Sequence, residues 1–521
     1  MSDHHRQLSS PVRAVFWLLL VILVLAPLHL SGKPPLAVMT LELLCMGSFA
    51  LLVWGGDGLH HLHRFERWSM AALLVLPAVY LLPLPLDGRL MLPGQADYYA
   101  ASKAIGSDAW ATLTLDMTAT VKALLYLLMP ITVFWMTRAL PARLIRKAVG
   151  LFLAMAVLQA CIGLIQYGVA SDPNSVWHFG EPPGYNARGT WSSRNNFAGF
   201  LNFALMISLA LFMATLGRHK QMAGAQTLRE RLVYLSTWQG HRAFVFGVVA
   251  VLVLVALVFT RSRMGIVTSM IGILIATVAY ARHIGGDNVY GLTGTVVAGV
   301  LGVGVTIGLG PVLARFSQQD PLADGRSYIF DGAWEGIGHF FPLGSGPGTF
   351  VEVFPRFQVW EMASVTINRA HNSYLEWLFT MGLPAALLIA LFAFLYCRQW
   401  FRMGETWGEF RFIQTGAGLA CLLTLIHDVV DYNFFVPANI IYFAFMAGIF
   451  FHSHRDIQRD KIKANPTSRR KSAIDKVRSR DLLPSVDSAI NPFNEDEDED
   501  EGEKAGETGP SVGSSPQGGG W

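Results

Sequence analysis

Charged residues are scarce in this chain of 521 residues. Aspartate, glutamate, lysine and arginine make up 15% of it, 52% is hydrophobic, and the mean hydropathy is +0.39. A soluble protein carries about 25% charged residues. Because the deficit extends over most of the length, it excludes a soluble globular protein and predicts a polytopic membrane protein.

Cysteine is also rare, and recognisable metal or nucleotide motifs are missing. The four cysteines lie in or at the end of apolar segments, without CxxC spacing, which argues against a disulfide framework or a zinc site. No D-x-D pair or set of histidines and carboxylates stands out in the segments assigned to the outer face. The glycine-rich stretch Pro342–Phe350 lacks the nucleotide-binding pattern G-x-x-x-x-G-K-[ST] and predicts a turn. We therefore expect no metal and no cofactor.

Long apolar segments dominate the chain instead. A helix needs about 20 mostly apolar residues to cross the hydrocarbon core. About twelve segments meet this requirement, centred on Leu20, Cys45, Leu76, Leu128, Val157, Leu209, Leu254, Leu274, Gly302, Leu388, Leu422 and Phe445. The expected fold is all-α, with about 12 transmembrane helices and one long loop on the outer side, residues 311–372, that carries short amphipathic helices; the family resemblance described below implies that this loop is periplasmic.

The positive charges between the spans predict the orientation, because cytoplasmic loops are enriched in lysine and arginine. With a cytoplasmic N-terminus, the inner loops contain Arg64, Arg67, Arg138, Arg143, Arg146, Lys147, Arg218, Lys220, Arg229, Arg231, Arg242, Arg282, Arg398, Arg402 and Arg411. Both termini are then cytoplasmic. Residues 1–452 form the predicted transmembrane domain, and residues 453–521, first basic and then acidic, have the composition of a disordered cytoplasmic tail.

Arginines on the outer side oppose this insertion preference. They are Arg188, Arg194, Arg261, Arg263, Arg315, Arg326, Arg356 and Arg369. An anionic ligand at the outer surface would compensate for them. Ser193 or Asn195 fits the N-cap of the sixth span, and a helix N-terminus attracts anions. With Arg188 and Arg194, this start predicts a phosphate-binding site; the alternative is a capped helix with snorkelling arginines.

Arg261 and Arg263 occupy the short turn between spans seven and eight. Residues two apart on a helix point to nearly opposite faces, so one of the two is expected to be structural. We favour Arg263 as the functional one, since Gly265 permits the backbone to bend beside it.

The long loop supplies two further candidates. Arg326 begins a stretch in which Ile329, Phe330, Ala333, Trp334 and Ile337 recur at helical spacing, which predicts an amphipathic helix on the outer leaflet. Asp324 fits its cap, and arginine suits bidentate phosphate binding. The alternative is that Arg326 pairs with Asp324 or Asp331.

His371, between Arg369 and Asn372, precedes a capping box formed by Ser373 and Glu376. A histidine there can take a proton from a hydroxyl nucleophile. At the outer end of the eleventh span, Asp428 and Asp431 are candidates to orient His371 or to pair an arginine.

Four motifs in this order resemble the bacterial O-antigen ligase and polymerase superfamily, over about Lys147 to Phe451. They are Arg-Gly-Thr-Trp-Ser-Ser-Arg-Asn-Asn from Arg188, Thr-Arg-Ser-Arg-Met-Gly from Thr260, Gly-Arg-Ser-Tyr-Ile from Gly325 with the glycine-rich turn, and Ala-His-Asn-Ser-Tyr-Leu-Glu from Ala370. The resemblance implies a metal-independent membrane glycosyltransferase, in which Arg263, Arg326 and His371 are the functional residues.

The resemblance further implies transfer of a glycan from undecaprenyl diphosphate to a hydroxyl acceptor on lipid A-core, on another glycan or on a protein. The expected partners are this donor, the acceptor and membrane lipid, with no nucleic acid. Arg188, Arg194, Asn195, Arg261, Arg369, Asn372, Asp428 and Asp431 are the predicted substrate-binding residues. Two other classes stay open: a transporter or flippase for lipid-linked glycans, and a structural subunit of an envelope assembly.

Overall fold

The computed structural model describes residues 10–55, 62, 64–106, 111–179, 184–216, 238–284, 325–404 and 407–453. Its longer helices, in chain order, are α1 (Ser10–Leu25), α2 (Pro35–Trp54), α3 (Arg64–Val79), α4 (Met117–Ala139), α5 (Ala142–Gly168), α6 (Arg194–Leu216), α7 (Trp238–Phe259), α8 (Arg263–Ile284), α9 (Arg326–Phe340), α10 (Ser373–Arg402), α11 (Glu409–His427) and α12 (Pro437–Phe450).

The connections contain short elements. Leu28–Ser31, Ala96–Ala104 and Phe350–Val353 are short α-helices, and Leu86–Met91, Val176–His178, Phe354–Phe357, Trp360–Met362 and Asn433–Phe435 are 3₁₀ turns. The strands Pro83–Leu84 and Ala111–Thr112 pair antiparallel, with Pro83 opposite Thr112. These connections are too short to add a second layer, so the bundle of long helices is the fold.

The prediction of an all-α membrane protein is confirmed, but the count of twelve spans is not. Eight of the described helices, namely α2, α4, α5, α6, α7, α8, α10 and α11, are long and apolar enough to cross a membrane. The apolar α1 and α12 are shorter, with 16 and 14 residues. The third predicted span is α3, which has 16 residues and an acidic first turn. The ninth predicted span, around Gly302, lies outside the described residues.

Helix α6 is the centre of the bundle and is buried along almost its whole length. It packs against α5, α7, α8, α11 and α12. Small residues allow this close approach: a Cβ on Gly416 of α11 would lie 2.7 Å from that of Ala210. In a bilayer the hydrophobic effect does not drive helices together, so close van der Waals packing of this kind stabilises their association. The packing of these helices around α6 thereby fixes the positions of their ends near the start of α6.

Helix α9 covers one end of the bundle. Its buried face consists of Ile329, Gly332, Ala333, Gly336 and Phe340, and it packs on an aromatic cluster formed by Phe350, Phe354, Phe357 and Phe379. The predicted helix is therefore present. Trp334, on the predicted apolar face, is 65% exposed, whereas Gly336 and Phe340 contact the bundle.

The glycine-rich turn fills a break in α10. Gly382 has φ +51° and ψ −129°, so the helix is interrupted there and carbonyls of the preceding turn lose their partners. The N–H groups of Ser345 and Gly346 donate to the carbonyls of Phe379 and Thr380, at 3.2 and 2.8 Å. Leu383 N–H donates to Pro342 O at 2.7 Å. The turn thus anchors the long loop to the bundle.

Replacing Gly346 with alanine is expected to destabilise the protein strongly. Gly346 has φ +118°, and a Cβ there would lie 2.0 Å from Thr114 Oγ1 and 2.9 Å from Thr114 Cα. Strained backbone and overpacking each cost about 1–3 kcal/mol. Thermal unfolding of the purified protein in detergent measures the loss. The matched control is Gly338→Ala in α9, where nothing lies within 4 Å; a similar melting temperature for both variants would contradict this account.

Charged and polar side chains form an ion pair and hydrogen bonds at the end of the bundle opposite to α9. Arg138, fully buried, pairs with Glu66 at 3.3 Å. Gln414 Nε2 donates to the carbonyls of Phe450 and His452 at 2.8 and 2.7 Å, and His452 Nε2 lies 3.0 Å from Leu140 O. These bonds tie α11 and α12 to the turn between α4 and α5.

Candidate functional site

The segment between α11 and α12, residues 428–436, is the hub of a buried polar network. Asp428 is fully buried and accepts four hydrogen bonds. The donors are Ser373 Oγ at 2.7 Å, the N–H and the side-chain amide of Asn433 at 3.1 and 2.6 Å, and Phe434 N–H at 3.1 Å. The start of α10 is thereby fixed to the connection that leads into α12.

Burial raises the pKa of Asp428 to about 6, although hydrogen bonds from Ser373 and Asn433 favour its ionised form. A carboxyl whose pKa is higher in the folded state costs stability when it ionises, and this cost grows as the pH rises from about 4 to about 6. We expect Asp428→Asn to remove this pH dependence. The check is thermal unfolding between pH 4.5 and 7.5. Parallel curves for the two proteins would contradict the assignment of the pH dependence to Asp428.

Asp431 is buried beside Asp428 but has other partners. Its Oδ1 accepts from Tyr432 N–H at 2.9 Å and from Asn196 Nδ2 at 3.5 Å, and its Oδ2 lies 3.4 Å from His427 Nε2. Burial acts to raise the pKa of Asp431, but His427, the Tyr432 N–H and Arg326 together hold it below its usual value. Asp431 therefore provides negative charge behind the site.

Arg326, the first residue of α9, reaches this hub. Its guanidinium donates to Val430 O at 3.0 Å, and its charge acts on Asp431. The N-cap position is Gly325, with φ +59° and no side-chain cap. Asp324, the predicted cap, lies outside the described residues. The contact with Val430 was not foreseen in the sequence, since the two residues are 104 positions apart.

Arg369 lies at the start of α10. Its guanidinium donates to Glu376 Oε1 at 2.7 Å and stacks over the ring of Phe435 at 4.5 Å. The other oxygen of Glu376 accepts from Ala370 N–H at 3.0 Å. The side chain of Arg369 is 33% exposed, whereas that of Glu376 is 3% exposed. The cation thus faces outward and its carboxylate lies behind it.

The predicted capping box is wrong by one residue. The N-cap is Asn372, whose Oδ1 accepts from the N–H groups of Tyr374 and Leu375 at 3.0 and 3.1 Å. Ser373 is the first helical residue, and its hydroxyl is drawn away to Asp428 by the tertiary structure. Asn372, predicted to bind substrate, therefore caps α10.

His371 is held between these contacts in an unusual backbone conformation. Its φ is +51°, in the left-handed region that residues other than glycine rarely adopt. Its ring meets that of Tyr432 edge to face, with centroids 5.0 Å apart. Strain of this kind persists only where surrounding contacts fix the residue, and it concentrates at functional sites.

Two residues of this region were not found by sequence reasoning, Lys33 and Tyr432. Lys33 Nζ lies 5.3 Å from the centre of the Tyr432 ring and donates to Ser192 Oγ at 3.0 Å. Burial and the nearby Asp431 raise the pKa of Tyr432 to about 12, so its phenol stays protonated at neutral pH. The charge signal that singled out the arginines, a cation in a connection predicted to be on the outer side, also applies to Lys33.

Arg188 and Arg261 belong to a neighbouring group at the end of α5. Arg188 donates through its N–H to Gln166 Oε1 at 3.2 Å and through its guanidinium to His178 O at 3.4 Å. Arg261 has φ +54° and stacks on Tyr167, with 5.5 Å to the ring centre. These contacts hold the connections between helices in place.

Arg194, Asn195 and Arg263 stand at helix starts. Arg194 begins α6, so Ser193 precedes the helix and Asn195 lies inside it; the N-cap prediction for Asn195 is wrong. Arg263 begins α8 and is exposed. Gly265 does not bend the chain as predicted. It lies within the helix, and a Cβ there would lie 2.4 Å from that of Ala198, so glycine allows α8 to pack on α6.

The network thus brings Arg326, Arg369, His371, Asp428 and Asp431 together around residues 428–436. Arg188 and Arg261 form a separate group at the end of α5, and Arg194 and Arg263 lie where α6 meets α8. Within the described residues, no three histidine, cysteine or acidic side chains are grouped to hold a metal ion.

Residues 248–390 match the family model described as O-antigen ligase. This match supports the resemblance of the chain to the O-antigen ligase superfamily. This family supports glycan transfer in general, from a lipid-linked donor to an acceptor. Together with the apolar helices, it supports a multi-pass bacterial membrane protein. The matched region includes Arg261, Arg263, Arg326, Arg369, His371 and Asn372, while Asp428, Asp431 and Lys33 lie outside it. The comparison with curated proteins gave no match.

Proposed function

We propose that the protein transfers a glycan from undecaprenyl diphosphate to a hydroxyl acceptor at the periplasmic face of the bacterial inner membrane. The observation that carries the proposal is the layering of charge around residues 428–436. Arg326 and Arg369 are partly exposed, while Asp428, Asp431 and Glu376 are buried behind them. A cationic layer beside an imidazole suits an anionic leaving group and a hydroxyl nucleophile.

In the proposed reaction, the acceptor oxygen attacks the anomeric carbon of the donor glycan. The bond from this carbon to the diphosphate oxygen breaks, and the diphosphate leaves with the electron pair. Arg326 stabilises the negative charge that develops, since cations aimed at this charge lower the barrier. Arg263, which begins α8 apart from this network, is assigned the same role on the family resemblance alone. His371 takes the proton of the acceptor hydroxyl. Attack opposite to the leaving group inverts the anomeric centre. Arginine charge serves here without a divalent metal.

Three acceptors fit this chemistry: lipid A-core, a growing glycan and a protein hydroxyl. A deletion strain distinguishes them. Lipopolysaccharide without long chains indicates a ligase, single-repeat products indicate a polymerase, and an unglycosylated protein indicates a protein glycosyltransferase. The positive charge of the inner loops supports the orientation with both termini in the cytoplasm.

The direct test reconstitutes the purified protein in liposomes with a lipid-linked glycan and a hydroxyl acceptor. The expected result is a covalent glycan–acceptor product that forms in the presence of EDTA. Movement of intact lipid-linked glycan between leaflets without a product would identify a transporter or flippase instead. Loss of product with EDTA and its recovery with a divalent ion would contradict the metal-free mechanism.

A further inference from the structure

We propose that Lys33, outside the matched family region, is an additional cation of this site and binds the diphosphate of the lipid-linked donor. The inference rests on the proposed function and extends it to the N-terminal part of the chain. It assigns to one residue of the connection between α1 and α2 a direct role in donor binding.

The position of Lys33 is defined by two contacts. Its ammonium donates to Ser192 Oγ at 3.0 Å and stacks over the ring of Tyr432 at 5.3 Å. Ser192 stands two residues before Arg194, at the start of α6. Lys33 therefore bridges the first residues of α6 and the segment 428–436.

The same tyrosine ring joins Lys33 to His371. The rings of His371 and Tyr432 are nearly perpendicular, with centroids 5.0 Å apart, and the ammonium of Lys33 lies over the Tyr432 ring. Arg326 binds Val430 O, two residues before Tyr432. The charges of Arg326 and Arg369 both act on the Tyr432 phenol. Lysine, imidazole and guanidinium groups thus surround one side chain.

The acidic groups of this region lie beneath the surface. Asp428 and Asp431 are at most 1% exposed, and Glu376 is 2% exposed. All three accept hydrogen bonds from inside the protein. Lys33, in contrast, is partly exposed. A ligand that arrives from the solvent side meets the cations first, which favours an anion.

The backbone holds Lys33 in place before a ligand arrives. Gly32 has φ +77°, and a Cβ there would lie 3.0 Å from Leu41 and 3.2 Å from Pro437. Two prolines, Pro34 and Pro35, follow and restrict the chain to the entry of α2. A preorganised cation loses little conformational freedom on binding, and lysine binds phosphate as a point charge. Lys33 fits that role.

The test uses farnesyl diphosphate as a short polyprenyl diphosphate probe, titrated against the full-length protein in detergent. Lys33→Gln keeps a donor for Ser192 but removes the charge. It is expected to weaken binding at least about tenfold, the effect of losing one hydrogen bond to a charged group. Lys33→Arg is expected to bind more tightly than Lys33→Gln, because the positive charge is retained. The matched control is Lys103→Gln, a lysine stacked on Tyr99 at 6.0 Å elsewhere in the chain.

Each outcome decides the inference. Unchanged affinity in folded Lys33→Gln overturns the role of Lys33 and leaves the proposed function standing. Failure of the wild type to bind farnesyl diphosphate overturns both. If Lys33→Gln does not fold, Ser192→Ala decides, since loss of the hydroxyl that holds the ammonium is expected to weaken binding about threefold or more; an unchanged affinity there counts against Lys33.

Discussion

His371→Ala is expected to lower the rate of glycan transfer about a hundredfold to ten-thousandfold, the usual contribution of a general base. The left-handed backbone of His371 and its ring contact with Tyr432 fix the imidazole against residues 428–436, which Arg326 and Arg369 also contact. Because the proposed role of the imidazole concerns the acceptor hydroxyl and not the donor, the binding of farnesyl diphosphate is expected to change little. A radiolabelled or fluorescent lipid-linked glycan, followed by gel mobility of the product, measures the rate.

The matched control is His29→Ala. His29 also has a left-handed backbone, with φ +49°, but it is exposed in the short helix after α1. A replacement there is expected to leave the transfer rate within about twofold of wild type, as is usual for surface positions. Near-normal transfer by His371→Ala, with normal expression and folding, would remove the general base from the mechanism.

Arg326→Ala is expected to reduce transfer about a hundredfold to a thousandfold, since the loss of one electrostatic stabiliser of a developing anion has this effect. Unlike His371→Ala, Arg326→Ala is also expected to weaken the binding of farnesyl diphosphate, because the proposed role of the guanidinium is to bind the diphosphate of the donor. Arg326→Lys is expected to recover only part of the rate, as an ammonium cannot make two parallel hydrogen bonds.

Arg356, a second arginine of the same loop, is the control that shows whether the position of Arg326 matters or only the loss of a positive charge from the loop. Arg356 pairs with Asp97, and the two side chains are 37% and 68% exposed. Exposed ion pairs contribute about 0–1 kcal/mol to stability. Arg356→Ala is therefore expected to retain both transfer and folding. If it loses as much activity as Arg326→Ala, the effect belongs to the loop as a whole and the specific role of Arg326 is wrong.

Arg326 could be predicted from the sequence as a site residue, whereas its contact and Lys33 were not predicted. Arg326 was found because a cation in an outer segment opposes the insertion preference, a property that any one position reveals. Its partner was not found, since Val430 is contacted through a backbone carbonyl that carries no residue-specific signal. Lys33 carried the same charge signal but lies 399 residues before Tyr432 in the chain.

The corrections have the same origin. Ser373 has the preferred chemistry for an N-cap, yet Asn372 takes that position because Asp428 of another helix binds the serine hydroxyl. Gly265 was interpreted as a bend, but it is glycine because a side chain at this position would collide with Ala198 of the neighbouring helix. In both cases a local preference was overridden by a contact from a distant part of the chain.

By itself the sequence determined that the chain is a helical membrane protein with positive charge on both sides of its spans. Apolar length and charge are properties of local segments, and a bilayer selects for them directly. Only the tertiary structure decided which cations meet, which carboxylates lie behind them and which side chain they share. Those relations depend on how α6, α10 and α11 pack, and close packing is set by the shapes of residues that are distant in sequence.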